Sequence, residues 1–235
     1  MSVPRLRLAV IGDGKMGRAV ASLADAHGFD VVALLGESQL APRGVTRDLL
    51  DAADVAVEFT IPAAAAAHVR ACVALGVPVV CGTTGWDAER AAVADDVVAA
   101  HGALLWAPNF SIGVHLFTQL VEDAARLVTA ANAGFDAHLV ETHHAAKVDA
   151  PSGTARLLAE RAARALGHAL PTTSIRLGSE PGTHEVIFDA PFERITLTHM
   201  ARDRRVFAAG ALSAARWIVG RHGVFTLDHL MGIAE

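Results

Sequence analysis

The sequence lacks the marks of a metal-stapled, disulfide-bonded, nucleic-acid-binding or membrane-spanning protein. Its 235 residues contain two cysteines, Cys72 and Cys81, both in apolar surroundings, and no C-x-x-C or H-E-x-x-H pattern. That argues against a zinc framework, so no metal is expected; the pair reads as two reduced, buried thiols in a cytoplasmic protein, with a disulfide between them as the unsupported alternative. Basic residues are not in excess. The formal net charge is -5 and no basic stripe is present to track a phosphate backbone, so nucleic acid is not expected as a partner. Long apolar runs are missing too. The run behind Arg5 and Arg7 is interrupted by Asp13, which speaks against a signal peptide. The most apolar region, residues 61 to 80, holds His68, Arg70 and two prolines; it fits a helix and a strand, and no membrane partner is expected.

What is present is enough apolar material, 52% of the chain, for one large domain or two small ones. Strand patterns at 6–11, 30–35, 54–59, 77–81 and 103–107 alternate with helical patterns up to about His27, at 63–75 and at 87–101. This βα spacing implies a parallel, helix-covered sheet. The pattern then changes. A long helix is expected over 111–131, a strand over 135–143, a helix over 153–166, strands at 184–190 and 194–199 in a second sheet, a helix over 204–219 and a short closing strand at 225–227. Glycine and proline at 178, 181 and 182 make the approach to the second sheet a turn-rich loop.

Two stretches carry chemistry. Gly12, Gly14 and Gly17 spell G-x-G-x-x-G between the first strand and the first helix. Such glycines allow a tight turn, leave room for a pyrophosphate and let helix and strand pack closely, while the helix N-terminus attracts the anion. Lys15 and Arg18 lie near the phosphates. Glu37, after the second strand, is either the acid that holds a ribose hydroxyl or a solvated loop acid, so the choice between NADH and NADPH stays open. Phe59-Thr60-Ile61-Pro62 and Cys81-Gly82-Thr83-Thr84-Gly85-Trp86 follow the third and fourth strands, at the carboxyl edge where ligands bind, and the second of these loops could line the nicotinamide side. Asn109-Phe110-Ser111 either caps the long helix and touches the nicotinamide amide or serves as a hinge.

The second stretch is Glu141-Thr-His-His-Ala-Ala-Lys-Val-Asp-Ala-Pro-Ser-Gly-Thr-Ala155. His143 and His144 can carry a proton near neutral pH, and Lys147 can neutralise a carboxylate. Ser152 is a natural N-cap, after which Gly153 and Thr154 offer N–H groups at the positive end of a helix. Adjacent strand residues point to opposite faces, so the two histidines need not share one pocket. The combination suits an enzyme that binds a carboxylate and moves a proton beside it.

The same stretch closely resembles the signature of the 4-hydroxy-tetrahydrodipicolinate reductases, also called dihydrodipicolinate reductases. Gly12-Asp-Gly-Lys-Met-Gly17, Phe59-Thr60 with Pro62, Gly82-Thr-Thr-Gly85, Pro108-Asn-Phe-Ser-Ile-Gly-Val114 and His199 through Gly210 match in order. The resemblance implies an α/β chain with a Rossmann-like parallel-sheet domain, 1–109 and 211–235, and a second α+β domain, 110–210, with an open mixed sheet that assembles a homotetramer. It implies NADH- or NADPH-dependent reduction of a cyclic imine dicarboxylate on the diaminopimelate route to lysine. His143 would be the general acid, and His144 and Lys147 would bind substrate, with Gly153 and Thr154 on one of its carboxylates. Gly12, Gly17, Gly82, Thr84 and Phe110 would surround the cofactor, with Lys15 and Met16 near the pyrophosphate turn. Other family members run longer, and this chain looks trimmed between Ser174 and His184. Reduction of another cyclic imine or small carboxylate, or nucleotide binding without chemistry, are the alternative readings.

Overall fold

A computed structural model describes residues 4–41 and 43–234 of the chain. They form two compact units: one runs to Ser111 and resumes at Arg205, and the other is Ile112–Arg204.

The first unit opens with β1 (Leu6–Ile11), α1 (Lys15–Leu23), β2 (Phe29–Leu35), the single-turn helices α2 (Glu37–Leu40) and α3 (Arg47–Leu50), β3 (Val55–Glu58), α4 (Pro62–Ala74), β4 (Val79–Cys81), α5 (Asp87–Ala99) and β5 (Ala103–Trp106). The second unit comprises α6 (Ile112–Ala131), β6 (Asp136–His143), α7 (Gly153–Leu166), β7 (Thr172–Arg176), β8 (Thr183–Ala190) and β9 (Glu193–Met200). The chain then returns to the first unit with α8 (Arg205–Ile218), β10 (Gly223–Phe225) and the short α9 (Leu227–Leu230).

Six parallel strands in the order β2-β1-β3-β4-β5-β10 make the first sheet. Its strands are apolar on both faces because helices cover both. Ala9, Ile11, Ala56 and Val79 pack against α4 and α5 on one side. Leu8, Val10, Val55, Val57 and Val80 pack against α1 and α8 on the other. Strand order reverses between β1 and β3, which puts the loops after those strands at the switch point where open α/β sheets bind ligands. Helix α8 belongs wholly to this unit. Ala208, Ala211, Leu212, Ala214, Ala215 and Ile218 are all buried, and a Cβ on Gly210 would collide with the Phe110 carbonyl. The division expected at residue 210 therefore falls inside α8, and the unit boundary lies ahead of the helix.

The second sheet is mixed, as expected, in the order β7-β6-β8-β9, with β7 parallel to β6 and the remaining pairs antiparallel. Leu139, Val186 and Phe188 on one face join Val121 and Ala125 of α6 and Leu158 and Ala162 of α7 in a single core. Each of the larger side chains contributes about 1.5–3 kcal/mol by leaving water.

Three local expectations change. The first helix stops at Leu23, and residues 25–27 form a 3-10 turn closed by Gly28 at φ 74°. The closing strand is Gly223–Phe225, and Leu227 instead opens α9. Strand β7, Thr172–Arg176, was not foreseen.

Candidate active site

In the first unit, the loops after β1, β3 and β4 surround a cavity of about 440 Å³ lined by Gly14, Lys15, Met16, Phe59, Thr60, Pro62, Gly82, Thr83 and Thr84. The three motif glycines divide the work. Gly12, at φ 109°, lies against the Phe59 carbonyl, and Gly17 lies against the Gly12 carbonyl, so neither position has room for a Cβ. Gly14 faces open space, with no atom within 4 Å of a Cβ built there. That is the pattern of a dinucleotide cradle: two glycines close the turn and one leaves space for the ligand. Gly82 packs on the Phe59 ring. The Thr83 carbonyl accepts from the indoles of Trp86 (2.8 Å) and Trp106 (3.1 Å), which fixes the loop after β4.

The remaining residues expected around a cofactor lie off this cavity. Glu37 is exposed at the first position of α2, just beyond β2. The Asn109 carboxamide oxygen accepts from the Ser111 N–H at 2.8 Å. Phe110 is only 2% exposed and meets Phe59 edge to face at 6.0 Å.

In the second unit, β6 delivers Glu141 and His143 into the buried end of the sheet. The parallel register sets Arg176 of β7 beside His143, and the antiparallel register sets His184 of β8 opposite Glu141. Glu141 has no exposed surface. One of its oxygens accepts from Arg176 at 2.8 Å and from the Ser152 N–H at 3.3 Å, and the other is hydrogen-bonded to Nδ1 of His143. Burial alone would raise the Glu141 carboxyl; the bonds from Arg176, Ser174 and His143 outweigh it and hold the group at about 2. An ionised Glu141 only accepts, so Nδ1 of His143 carries a proton and Nε2 is the nitrogen that gains or loses one. Burial lowers the His143 pKa below its ordinary value; Glu141 works against that shift, and Lys147 and Arg176 add to it.

The His184 ring packs edge-on against that of His143 at 5.2 Å, and its Nε2 meets the Ser152 hydroxyl at 3.1 Å. Burial, with the neighbouring His143, pushes His184 down to about 4, so it is neutral near pH 7. Ser152 is the N-cap of α7 and accepts from the Ala155 N–H at 3.1 Å, a bond worth about 1 kcal/mol. The helix start at Gly153 and Thr154 is thereby joined to the histidine pair through Ser152. His144 lies just past the end of β6, in a turn closed by the Lys147 N–H on its carbonyl. The Lys147 ammonium pairs with Asp149 at 2.6 Å. Glu141, His143 and His184 offer three donor atoms within 4.8 Å of one another, but Arg176 on Glu141 and the nearby Lys147 oppose a cation there.

Arg176, His184 and Gly182 were not foreseen as parts of this site. A Cβ on Gly182 would come within 2.9 Å of His143 Nε2. Glycine 182 reads locally as a turn residue and Arg176 as a loop residue. Only the strand register gives either a role.

Comparison with known proteins gives a consistent outcome. Residues 6–110 match the family model described as dihydrodipicolinate reductase, N-terminus, and residues 113–231 match the corresponding C-terminus model. The 4-hydroxy-tetrahydrodipicolinate reductase of Laribacter hongkongensis is 36% identical over 268 aligned positions, covering 97% of this chain and 98% of its own length. That of Rhodopseudomonas palustris is 39% identical, covering 98% of each. Both alignments are longer than the chain itself, so these relatives carry insertions relative to it. The dipicolinate-bound dihydrodipicolinate reductase of Paenisporosarcina sp. TG-14 has the same fold, with a TM-score of 0.77 at 24% identity over 94% of this chain and 97% of that one.

Proposed function

The chain belongs to the dihydrodipicolinate reductase family, and from that membership we infer that it is an NAD(P)H-dependent 4-hydroxy-tetrahydrodipicolinate reductase of the diaminopimelate route to lysine. The observation that carries the residue-level reading is the Glu141–His143 pair beside the N-cap of α7, which joins a proton donor to an anion-binding helix start. The cavity of the first unit fits a dinucleotide: Gly14 leaves room for it, Lys15 and Met16 would flank the phosphates, and Phe59, Thr60 and Gly82–Thr84 would line the rest. Held there, a reduced nicotinamide would supply the hydride that the cyclic imine requires.

In the second unit the chain's own residues do the rest. Glu141 fixes the tautomer and orientation of His143, and Nε2 of the protonated ring donates to the reduced ring of the substrate. Gly153 and Thr154 hold one substrate carboxylate at the positive end of α7. Lys147 and His144 hold the dicarboxylate further. The half-exposed Lys147–Asp149 pair is worth at most about 1 kcal/mol, so an anionic ligand can displace Asp149. Either NADH or NADPH serves as donor in this reading, and a cytoplasmic homotetramer is the assembled form.

A steady-state assay with freshly made 4-hydroxy-tetrahydrodipicolinate, and NADH and NADPH in parallel, tests the assignment. Turnover with either cofactor supports it. No turnover, beside efficient reduction of a different cyclic imine, overturns it.

A further inference from the structure

Glu58, the last residue of β3, is a carboxylate with no exposed surface that the chemistry above does not use. It gathers donors from three segments. Oε1 accepts from the Thr60 N–H at 3.1 Å and from the Thr60 hydroxyl, and it lies 3.4 Å from Nδ1 of His68; Oε2 accepts from the Cys81 thiol at 3.1 Å. Burial alone would raise this carboxyl, but the bonds from His68, Thr60, Cys81 and Thr83 outweigh it and hold the group below its ordinary value. An ionised carboxylate can only accept. The Thr60 hydroxyl proton is therefore committed to Glu58. Nδ1 of His68, 3.3 Å from the Thr60 hydroxyl oxygen and also facing Glu58, carries a proton because both neighbours accept. The Thr83 hydroxyl accepts the Thr60 N–H at 2.8 Å, which ties the loops after β3 and β4 together beside Glu58.

Thr60 and Thr83 both line the cavity of the first unit. With its proton committed to Glu58, the Thr60 hydroxyl can offer only a lone pair to a ligand in that cavity.

We propose that Glu58 is a positioning residue that orients the Thr60 hydroxyl so that the cavity selects a ligand group with an N–H donor, such as the primary carboxamide of a nicotinamide. The proposal rests on the reading of this cavity as the dinucleotide site. A merely structural Glu58 would affect all dinucleotides alike. A positioning Glu58 affects those with the amide and spares those without it.

The experiment compares NADH with the reduced 3-acetylpyridine analogue, in which a methyl group replaces the amide nitrogen. Binding is followed by quenching of tryptophan fluorescence, since Trp86 and Trp106 both donate to the Thr83 carbonyl. The unsubstituted protein is expected to bind NADH about tenfold more tightly than the analogue, the worth of one hydrogen bond. Glu58→Met removes the acceptor and brings the ratio close to one. Glu58→Gln keeps an oxygen for Thr60 and turns its amide toward Cys81, so it retains the preference. Thr60→Val keeps the glutamate at position 58, removes the acceptor that Glu58 orients and abolishes the preference, and it carries the test should Glu58→Met fail to fold. A Glu58→Met protein that keeps the tenfold preference, or that weakens both ligands equally, overturns the proposal. If the unsubstituted protein binds neither dinucleotide, the cofactor reading itself fails, and that outcome is distinct.

Discussion

Gly182 stands where any side chain would press on Nε2 of His143: a Cβ built there comes within 2.9 Å of that nitrogen. Its φ of 149° is also one that L side chains rarely adopt. Gly182→Ala should therefore displace the ring and strain the backbone together. The expected outcome is a loss of about 1–2 kcal/mol in stability and at least a tenfold fall in kcat. NADH binding by tryptophan quenching should be unchanged, because the dinucleotide cavity belongs to the other unit. Unaltered kcat would remove Gly182 from the site.

His143→Asn keeps a donor at the Nδ1 position for Glu141 and deletes Nε2. A general acid contributes about 10²–10⁴ in rate, so kcat should fall by that much while the KM for the dicarboxylate changes little. The pH profile separates this from a packing defect. The free enzyme's kcat/KM should decline as pH rises through the His143 pKa, which burial sets below 6.5, and the decline should be absent in the variant.

Gly14 and Gly17 belong to one motif and predict opposite phenotypes. Gly14 has an ordinary φ of -70° and open space around it, so Gly14→Ala should fold with an unchanged Tm and lose dinucleotide affinity. Gly17→Ala would drive a methyl into the Gly12 carbonyl and should lower Tm before binding can be measured. Thermal melts paired with NADH titrations check both.

Acid should destabilise the fold in a defined window. His184 is held at about 4 against an ordinary 6.5, so between those values the unfolded chain binds a proton that the folded chain refuses. Stability is complete above pH 6.5 and falls as pH drops toward 4, by about 3 kcal/mol from this group. Glu141, held at about 2, adds a further loss as pH falls below the ordinary carboxylate value of 4.5. Urea unfolding at pH 7, 5.5 and 4 measures the slope. His184→Gln should flatten it between 6.5 and 4, and a slope unchanged by that substitution would contradict the assignment to His184.

Much of this was legible locally. Alternating βα patterns announced the parallel sheet, and G-x-G-x-x-G announced its first loop, because turn, strand and helix there are all set by residues a few positions apart. His143 and Ser152 could be read for the same reason: one ends a strand and the other caps a helix. Arg176 and His184 could not. Thr172–Arg176 is short, polar on one side and buried on neither, and becomes a strand only by pairing with β6. The residues that surround His143 from β7 and β8 lie 33 and 41 residues away in sequence and arrive through β-sheet register, which no local pattern encodes. Glu58 was hidden differently. It reads as a polar end to an apolar strand, and its four donors come from Thr60, His68, Cys81 and Thr83 on three separate segments.

The placement of α8 and β10 in the first unit bears on how the protein is made. The nucleotide-type sheet acquires its outer strand, and seven buried side chains of one face, from residues beyond 205. During synthesis from the N-terminus, the uninterrupted stretch 112–204 emerges complete while the unit begun before it still has an uncovered apolar face. The unit of residues 112–204 can thus reach its final form first, while the unit begun before it must wait for the residues after 204 before its core can close.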